Sequence, residues 1–410
     1  MALLTNNGLL VLSEYLASSN NSRISVKIAS ILAPRVYFES LGKYGKKPCH
    51  NLYASVIFCK MGKLSEGVGG GVAIGHMKKK FLVNYDDIIV VDNLLSAWSE
   101  FVVGKKSKPD VLGFSLNLID NILQLNSELA NKAYRHGSYQ SFYITDPKLR
   151  HIHKASVRDR LVHHAIYRQL YPLFAKIFIA DSYSCQLEKG THRAVSRFKV
   201  FVSQSGRNNT TTCWVLKCDI KKFFESIDHN VLLKILSEYI VDNNVVNLLA
   251  EIVRSFEVRP NKGVPLGNLT SQLFANVYMN KLDHFVKHRL KANYYIRYAD
   301  DFVILSSSKE ALIGDLQLVS DFLQDELKIA LHPEKIFMKT AASGIDFLGW
   351  INFPHHAVLR TKTKRRMMSR IKESPAPETL ASYLGLLKHG NTFKLQQELR
   401  NNYWLWENKI

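Results

Sequence analysis

The sequence lacks any run approaching about 18 consecutive apolar residues, so no membrane-spanning helix is expected. Its opening, Met1-Ala2-Leu3-Leu4-Thr5-Asn6-Asn7, has neither the basic start nor the long apolar stretch of a secretory signal. Cysteine is scarce. Cys49, Cys59, Cys185, Cys213 and Cys218 are odd in number and form no Cys-x-x-Cys pair, which argues against a disulfide framework or a zinc finger and for a reducing cytoplasm. No self-similarity at a period of about 20–50 residues occurs, so a solenoid is not expected. Acid is short as well: 35 Asp+Glu stand against 55 Lys+Arg, a formal net charge of +20. A chain so basic expects a polyanion, with nucleic acid ahead of an anionic membrane surface. Apolar residues, by contrast, make up 46% of the 410, enough for a substantial core.

Residues 1–90 read as an N-terminal extension and a candidate RNA-binding segment. They contain a glycine-rich stretch, Gly67-Val68-Gly69-Gly70-Gly71-Val72-Ala73-Ile74-Gly75, followed by Lys78 to Lys80. The glycine spacing fits no phosphate-binding fingerprint, so a flexible turn is the preferred reading over a phosphate cradle. From Asp92 the spacing is helical, with Leu94, Leu95, Trp98 and Phe101 on one face, until Lys105-Lys106-Ser107-Lys108-Pro109 breaks it. A second helix is expected over 115–132, a strand over 141–144 closed by a turn at Asp146-Pro147, and a long helix over 157–177. Beyond these, 214–220 reads as a buried strand, 230–249 as helices, and 267–290 as a loop entering a helix. Two strands, 294–298 and 302–305, flank a tight acidic turn, and a helix follows over 309–327. From about Arg360 the tail is basic and helical. This alternation predicts an α+β fold with an antiparallel sheet.

Two places put acid where apolar strand should be. Asp219 ends the run Trp214-Val215-Leu216-Lys217-Cys218, and Asp300 and Asp301 sit between two apolar strands. A carboxylate beside a core is costly unless it is paired or metal-bound, and neighbouring carboxylates repel until something positive neutralises them. Mg²⁺ is the fitting cation, because it takes hard oxygen ligands from one or two carboxylates and completes its shell with substrate phosphates. Two such ions clamp the attacking and leaving oxygens of a phosphoryl displacement. A lone Asp-Asp is more simply a solvated turn, so the neighbouring motifs decide.

Tyr298-Ala299-Asp300-Asp301, preceded by Ile296-Arg297 and followed by Phe302-Val303-Ile304-Leu305, resembles the YxDD motif of reverse transcriptases. Leu216 to His229 resembles their first catalytic motif. Gly263-Val264-Pro265-Leu266-Gly267-Asn268-Leu269-Thr270-Ser271-Gln272 resembles the motif that positions template and nucleotide. Leu331-His332-Pro333-Glu334-Lys335 and Gly344-Ile345-Asp346-Phe347-Leu348-Gly349-Trp350 resemble the lysine motif and the primer grip. The five motifs stand in the family's order, and with the flanks the resemblance covers about 92–395. Gly267 to Gln272 resembles the corresponding motif of bacterial enzymes from diversity-generating retroelements and related groups, among them those of antiphage defence.

The resemblance implies a right-hand polymerase of α+β class, with an antiparallel palm sheet and a helical thumb: fingers and palm over 91–350, thumb over 351–410. It implies two Mg²⁺ ions, with Mn²⁺ as the alternative, held by Asp219 and Asp300 with Ile220 beside them. Asp301 would support that site; its alternative is a structural turn carboxylate. Lys335 would protonate the leaving pyrophosphate, unless it is simply an exposed lysine. Lys148 and Arg150 would bind the incoming triphosphate, unless they belong to a solvated turn. Phe224 would be the steric gate against a ribose 2′-OH, unless it is a core ring. Gly267 would let backbone approach template or nucleotide. Leu266 stands where many relatives have Gln, a departure that goes with error-prone copying. Lys362, Lys364, Arg365, Arg366 and Arg370 would track duplex phosphates, unless they form a generic basic face. His163-His164 makes a poor chelate and is not expected to hold metal.

Several readings of function remain at this point. The first is an RNA-directed DNA polymerase of the bacterial cytoplasm that copies a structured non-coding RNA with dNTPs, held as an RNA/DNA duplex, in antiphage defence. The second is the mutagenic enzyme of a diversity-generating retroelement. The third is a non-catalytic RNA-binding scaffold, against which the three aspartates argue. Template-independent or protein-primed synthesis is a further option. Oligomerisation or an accessory protein is compatible with each, and no membrane partner is expected.

Overall fold

The computed structural model describes residues 80–145 and 148–407. The glycine-rich stretch, Lys78, Lys79 and the Asp146-Pro147 turn lie outside the described residues. Among the described residues no helix is long and apolar enough to cross a membrane.

Helices α1 (Tyr85–Ile89), α2 (Val91–Phe101), α3 (Pro109–Leu116) and α4 (Leu118–Ala130) form the first layer. The expected helix over 115–132 is in fact two. Pro109 starts α3, where its missing N–H costs nothing, and Asn117 (φ −120°, ψ 42°) breaks the chain before α4. A hairpin follows, β1 (Gln140–Ile144) and β2 (Arg150–Lys154), paired antiparallel. The long helix α5 (Val157–Phe174) is capped by the Ser156 side chain, which accepts from the Asp159 N–H. It buries Leu161, Val162, Ile166 and Leu170 and packs against both α2 and the later helix over 269–284.

Helix α6 (Thr191–Ser205) leads into the central strand β3 (Trp214–Asp219). A short turn of helix α7 (Phe223–Ser226), then α8 (His229–Tyr239), α9 (Asn243–Arg254) and α10 (Leu269–His284) precede the hairpin β4 (Tyr294–Tyr298) and β5 (Asp301–Ser306). Helix α11 (Lys309–Asp325) and β6 (Phe337–Thr340) complete the unit. The four strands form one antiparallel sheet in the order β4-β5-β3-β6. Side chains alternate across it. Val215, Val303, Leu305 and Ile296 pack with Phe198 and Phe201 of α6 on one face. Tyr295, Arg297, Phe302 and Ile304 are wholly or almost wholly buried, and Tyr295 and Arg297 bond to Asp283 of α10.

A three-stranded antiparallel sheet, β7 (Ile345–Phe347), β8 (Trp350–Asn352) and β9 (Ala357–Leu359), begins with a two-residue loop. Leu348 and Gly349 there both have positive φ, 53° and 86°, as a tight hairpin of this hand requires. Helices α12 (Thr361–Glu373), α13 (Pro377–Leu387) and α14 (Phe393–Glu407) share a second core with Trp350, Ala357 and Leu359. Gly390 has no room for a side chain there: a Cβ would lie 2.1 Å from the Trp350 ring.

Candidate active site

The sheet register brings the acids together. Cys218 pairs with Phe302 and Asp219 with Asp301, so two carboxylates stand directly opposite at the end of β3 and β5. Asp300 lies in the two-residue loop that joins β4 to β5, after Ala299 at φ 56°. The Ile220 N–H donates to the Asp300 carbonyl at 3.2 Å, which ties that loop to the end of β3. The segment after α11 wraps the same edge. Lys221 donates to Ala330 and His332 donates to the Asp219 carbonyl, each through its backbone N–H.

Electrostatics mark the place. Burial, and then the Asp219 charge, hold the Asp300 carboxyl above the ordinary carboxylate value, while Lys335 and Lys148 pull the other way. Burial pushes the Asp301 carboxyl up to about 6, against the pull of Lys217. Lys335 Nζ lies 2.7 Å from Asp219 Oδ1. Lys217 Nζ lies 3.1 Å from Asp301 Oδ2 and donates to the Asp346 carbonyl at 2.9 Å. Asp301 Oδ1 is buried without a hydrogen-bond partner. Among the described residues no three His, Cys, Asp or Glu side chains make a ready-made metal cage.

Lys148 and Arg150 are exposed on the β1–β2 hairpin, and the charge of Lys148 reaches Asp300. That hairpin is fastened to the 264–268 loop. The His153 N–H donates to the Leu266 carbonyl at 3.0 Å, and Asn268 Nδ2 donates to the His153 carbonyl at 2.9 Å. Gly267, at φ 122°, sits where a Cβ would meet Ile152 at 2.9 Å, so this close approach requires glycine. Leu266 is half-buried. Phe223 is buried at 3% exposure whereas Phe224 is half-buried, which separates the core ring from the one left available.

On α12, Lys362, Arg365 and Arg370 are exposed and Arg366 is half-buried. Lys364 is half-buried and 2.9 Å from Glu398 of α14. His163 and His164 do not converge. His163 Nε2 is 3.2 Å from His136 Nε2, while His164 packs its ring on Phe101.

Two cations escaped the sequence reading. Lys217 had a signal, since a residue two before Asp219 on a strand shares its face. Arg297 had a weaker one, a charge inside an otherwise apolar strand, but its partner Asp283 lies on another element.

The family model described as reverse transcriptase (RNA-dependent DNA polymerase) matches residues 145–352. The chain is 24% identical over 327 residues to protein YkfC of Escherichia coli (strain K12), covering 68% of this chain and 84% of that protein. It is 27% identical over 221 residues to an uncharacterized 91 kDa protein in a cob intron of Schizosaccharomyces pombe, covering 52% of this chain and 26% of that one. It is 23% identical over 309 residues to the group II intron-encoded protein LtrA of Lactococcus lactis subsp. cremoris, covering 58% and 50%. The chain thus spans half or less of these two intron-associated relatives. Among solved structures, apo telomerase from Candida tropicalis truncated from its C-terminal domain aligns with a TM-score of 0.41 at 14% identity, covering 59% of this chain and 60% of that one. A likeness of that degree carries no argument about function.

Proposed function

The chain belongs to the reverse transcriptase family of RNA-directed DNA polymerases, and from that premise we propose that it copies a cognate structured RNA into cDNA by two-metal nucleotidyl transfer. The observation that carries this reading is the convergence of Asp219, Asp300 and Asp301 at one end of the two central strands. The donor set fits a hard divalent cation: it is all oxygen, two members are held above the ordinary carboxylate value, and one buried oxygen lacks a partner. An incomplete protein cage suits Mg²⁺, which takes its remaining ligands from phosphate and water.

Asp219 and Asp300 hold the ions on this reading, with the Ile220 backbone beside them. Asp301 is held by Lys217 and supplies charge from the second rank. When bound there, a pair of Mg²⁺ ions, or Mn²⁺ in their place, stabilises the attacking and leaving oxygens as Lewis acids. Lys148 and Arg150 bind the triphosphate by charge-assisted hydrogen bonds. Phe224 excludes the 2′-OH. Gly267 admits the nucleotide to the backbone. Lys335 exchanges from Asp219 to the leaving pyrophosphate, which takes a proton from its Nζ. The division into fingers and palm over 91–350 and thumb over 351–410 belongs to the same reading, with Lys362, Lys364, Arg365, Arg366 and Arg370 of the thumb on the duplex phosphates.

The test is primer extension by the purified chain on RNA with Mg²⁺ and dNTPs. Product is expected from wild type and not from Asp300→Ala/Asp301→Ala; product from both sinks the assignment. We place the activity in antiphage defence, with the N-terminal residues binding the cognate RNA. The net charge of +20 supports a large RNA partner. Phage should plate less efficiently on cells with the wild-type gene than on cells with the double variant. Equal plating overturns that role.

One residue favours a second setting. Leu266 offers no amide near the nascent pair, which suits mutagenic copying in a diversity-generating element. Misincorporation should then fall in Leu266→Gln, and no change counts against it.

A further inference from the structure

Arg297 lies one residue before the tyrosine of the acidic turn, on the face of β4 away from the Asp219–Asp301 pair. Its side chain is wholly buried. Nε donates to Asp283 Oδ1 at 2.7 Å and Nη2 to Asp283 Oδ2 at 2.6 Å, a two-pronged grip on a carboxylate that is itself wholly buried. Tyr295 Oη donates to the same Asp283 Oδ1 at 2.8 Å. The remaining nitrogen, Nη1, donates to the Ala299 carbonyl at 3.0 Å and to Asn276 Oδ1 at 3.3 Å. The Arg297 backbone is also fixed: its N–H donates to the Asp181 carbonyl and its carbonyl accepts from the Tyr183 N–H.

Stability alone gives no reason for this arrangement. A buried ion pair is commonly matched or exceeded in stability by apolar residues of the same volume. What an apolar pair cannot do is donate to Ala299. That residue has a Cβ yet sits at φ 56°, a left-handed conformation that costs a side-chain-bearing residue energy and persists only where its surroundings impose it. The next residue is Asp300. Asp283 and Asn276 both belong to α10, which begins directly after the Gly267-Asn268 loop. One guanidinium therefore joins the helix behind the nucleotide-positioning loop to the turn that carries a metal-side carboxylate.

We propose that Arg297 is a positioning residue of the polymerase reaction: fixed by Asp283 on the buried face of the sheet, it holds the Ala299 carbonyl and so sets the place of the Asp300 carboxylate. The proposal rests on the reading above that Asp300 serves the metal site. It predicts that Arg297 acts on the chemical step and leaves binding of the template–primer alone.

The test uses the full chain in single-nucleotide extension on an RNA template. Arg297→Lys keeps a cation beside Asp283 but has one nitrogen in place of the planar fork, so it cannot serve Asp283 and Ala299 together. Its kcat should fall about 10- to 100-fold, as displacement of a catalytic group by a fraction of an ångström to one ångström does. The KM for dNTP and the Kd for duplex should stay within about threefold. Glycine adopts left-handed backbone without the Cβ penalty. In the Ala299→Gly background, the loss caused by Arg297→Lys should therefore shrink to less than about fivefold. If Arg297→Lys does not fold, Arg297→Met/Asp283→Leu replaces the buried pair with apolar volume and should melt near the wild-type temperature with the same loss of kcat. Wild-type kcat in whichever variant folds overturns the proposal. So does a loss that Ala299→Gly does not relieve, or a matching loss of duplex affinity. Asp300→Ala is the control: if it retains activity, the reading of the active site fails and the proposal falls with it, an outcome distinct from failure of Arg297 alone.

Discussion

Two ion pairs of nearly the same length flank the acidic turn, and their surroundings make them different devices. Behind the turn, Arg297 and Asp283 are 2.6 Å apart with both side chains at 0% exposure. In front of it, Lys335 and Asp219 are 2.7 Å apart, but the lysine is 44% exposed. Water can replace either partner of the front pair, and so can phosphate or a metal ion. Nothing can replace the partners of the back pair without leaving a charge stranded in the core. Distance alone does not tell a permanent contact from an exchangeable one. Burial does, and it separates the residues that build the turn from those that work at it.

Of the two pairs, the buried one is the more costly to disrupt. Asp283→Ala leaves the Arg297 charge buried and alone, which should cost about 3–5 kcal/mol in chemical denaturation. The apolar double replacement of both residues should recover most of it.

The next effect concerns Asp301, whose carboxyl is pushed up to about 6 by burial. In the unfolded chain it titrates near the ordinary value of 3.8. The folded state therefore holds this proton more tightly. Its contribution is fully present below about pH 4 and is lost as pH rises through about 6. At pH 8, without divalent cation, the ionised carboxylate costs on the order of 2–3 kcal/mol. Asp301→Asn should accordingly raise the melting temperature at pH 8 and leave it almost unchanged at pH 4. Equal effects at both pH values would contradict the assignment.

From the front the effects on stability are small. Lys335→Met should change it by less than about 1 kcal/mol, because an exposed pair contributes little. Smallest of all, Lys364→Ala breaks only the half-exposed link to Glu398 and should cost no more than about 0.5 kcal/mol. Duplex affinity is the sharper readout on that helix: Lys362→Ala/Arg365→Ala should lower the slope of log affinity against log salt by about 2.

Much of this site was legible in the sequence because strand periodicity and motif spacing are local. Asp219, Asp300 and Asp301 announced themselves as acids interrupting apolar strands. The antiparallel sheet followed from the two strands around the acidic turn, and the register then placed Asp219 opposite Asp301. What was not legible depends on distant packing. Asp283 sits 14 residues before Arg297 on a helix whose buried face cannot be assigned from spacing alone. The tie between His153 and Leu266 joins a hairpin to a loop more than a hundred residues away. The 105–109 segment does end the first helix, but Pro109 also starts the next one, because a missing N–H that breaks a helix interior is tolerated at its first position. Phe223 and Phe224 are chemically identical, and only the fold buries one and leaves the other half-exposed.

The central claim is that the front carboxylates perform the reaction while the buried pair only builds the turn. Rapid-quench incorporation of one dNTP by Asp300→Asn, with its melting curve measured alongside, tests it most directly. The account predicts a rate reduced at least about a thousandfold with a melting temperature equal to or above that of wild type, since a raised buried carboxylate has been made neutral. Incorporation at the wild-type rate, or a loss of rate that merely follows unfolding, would contradict it.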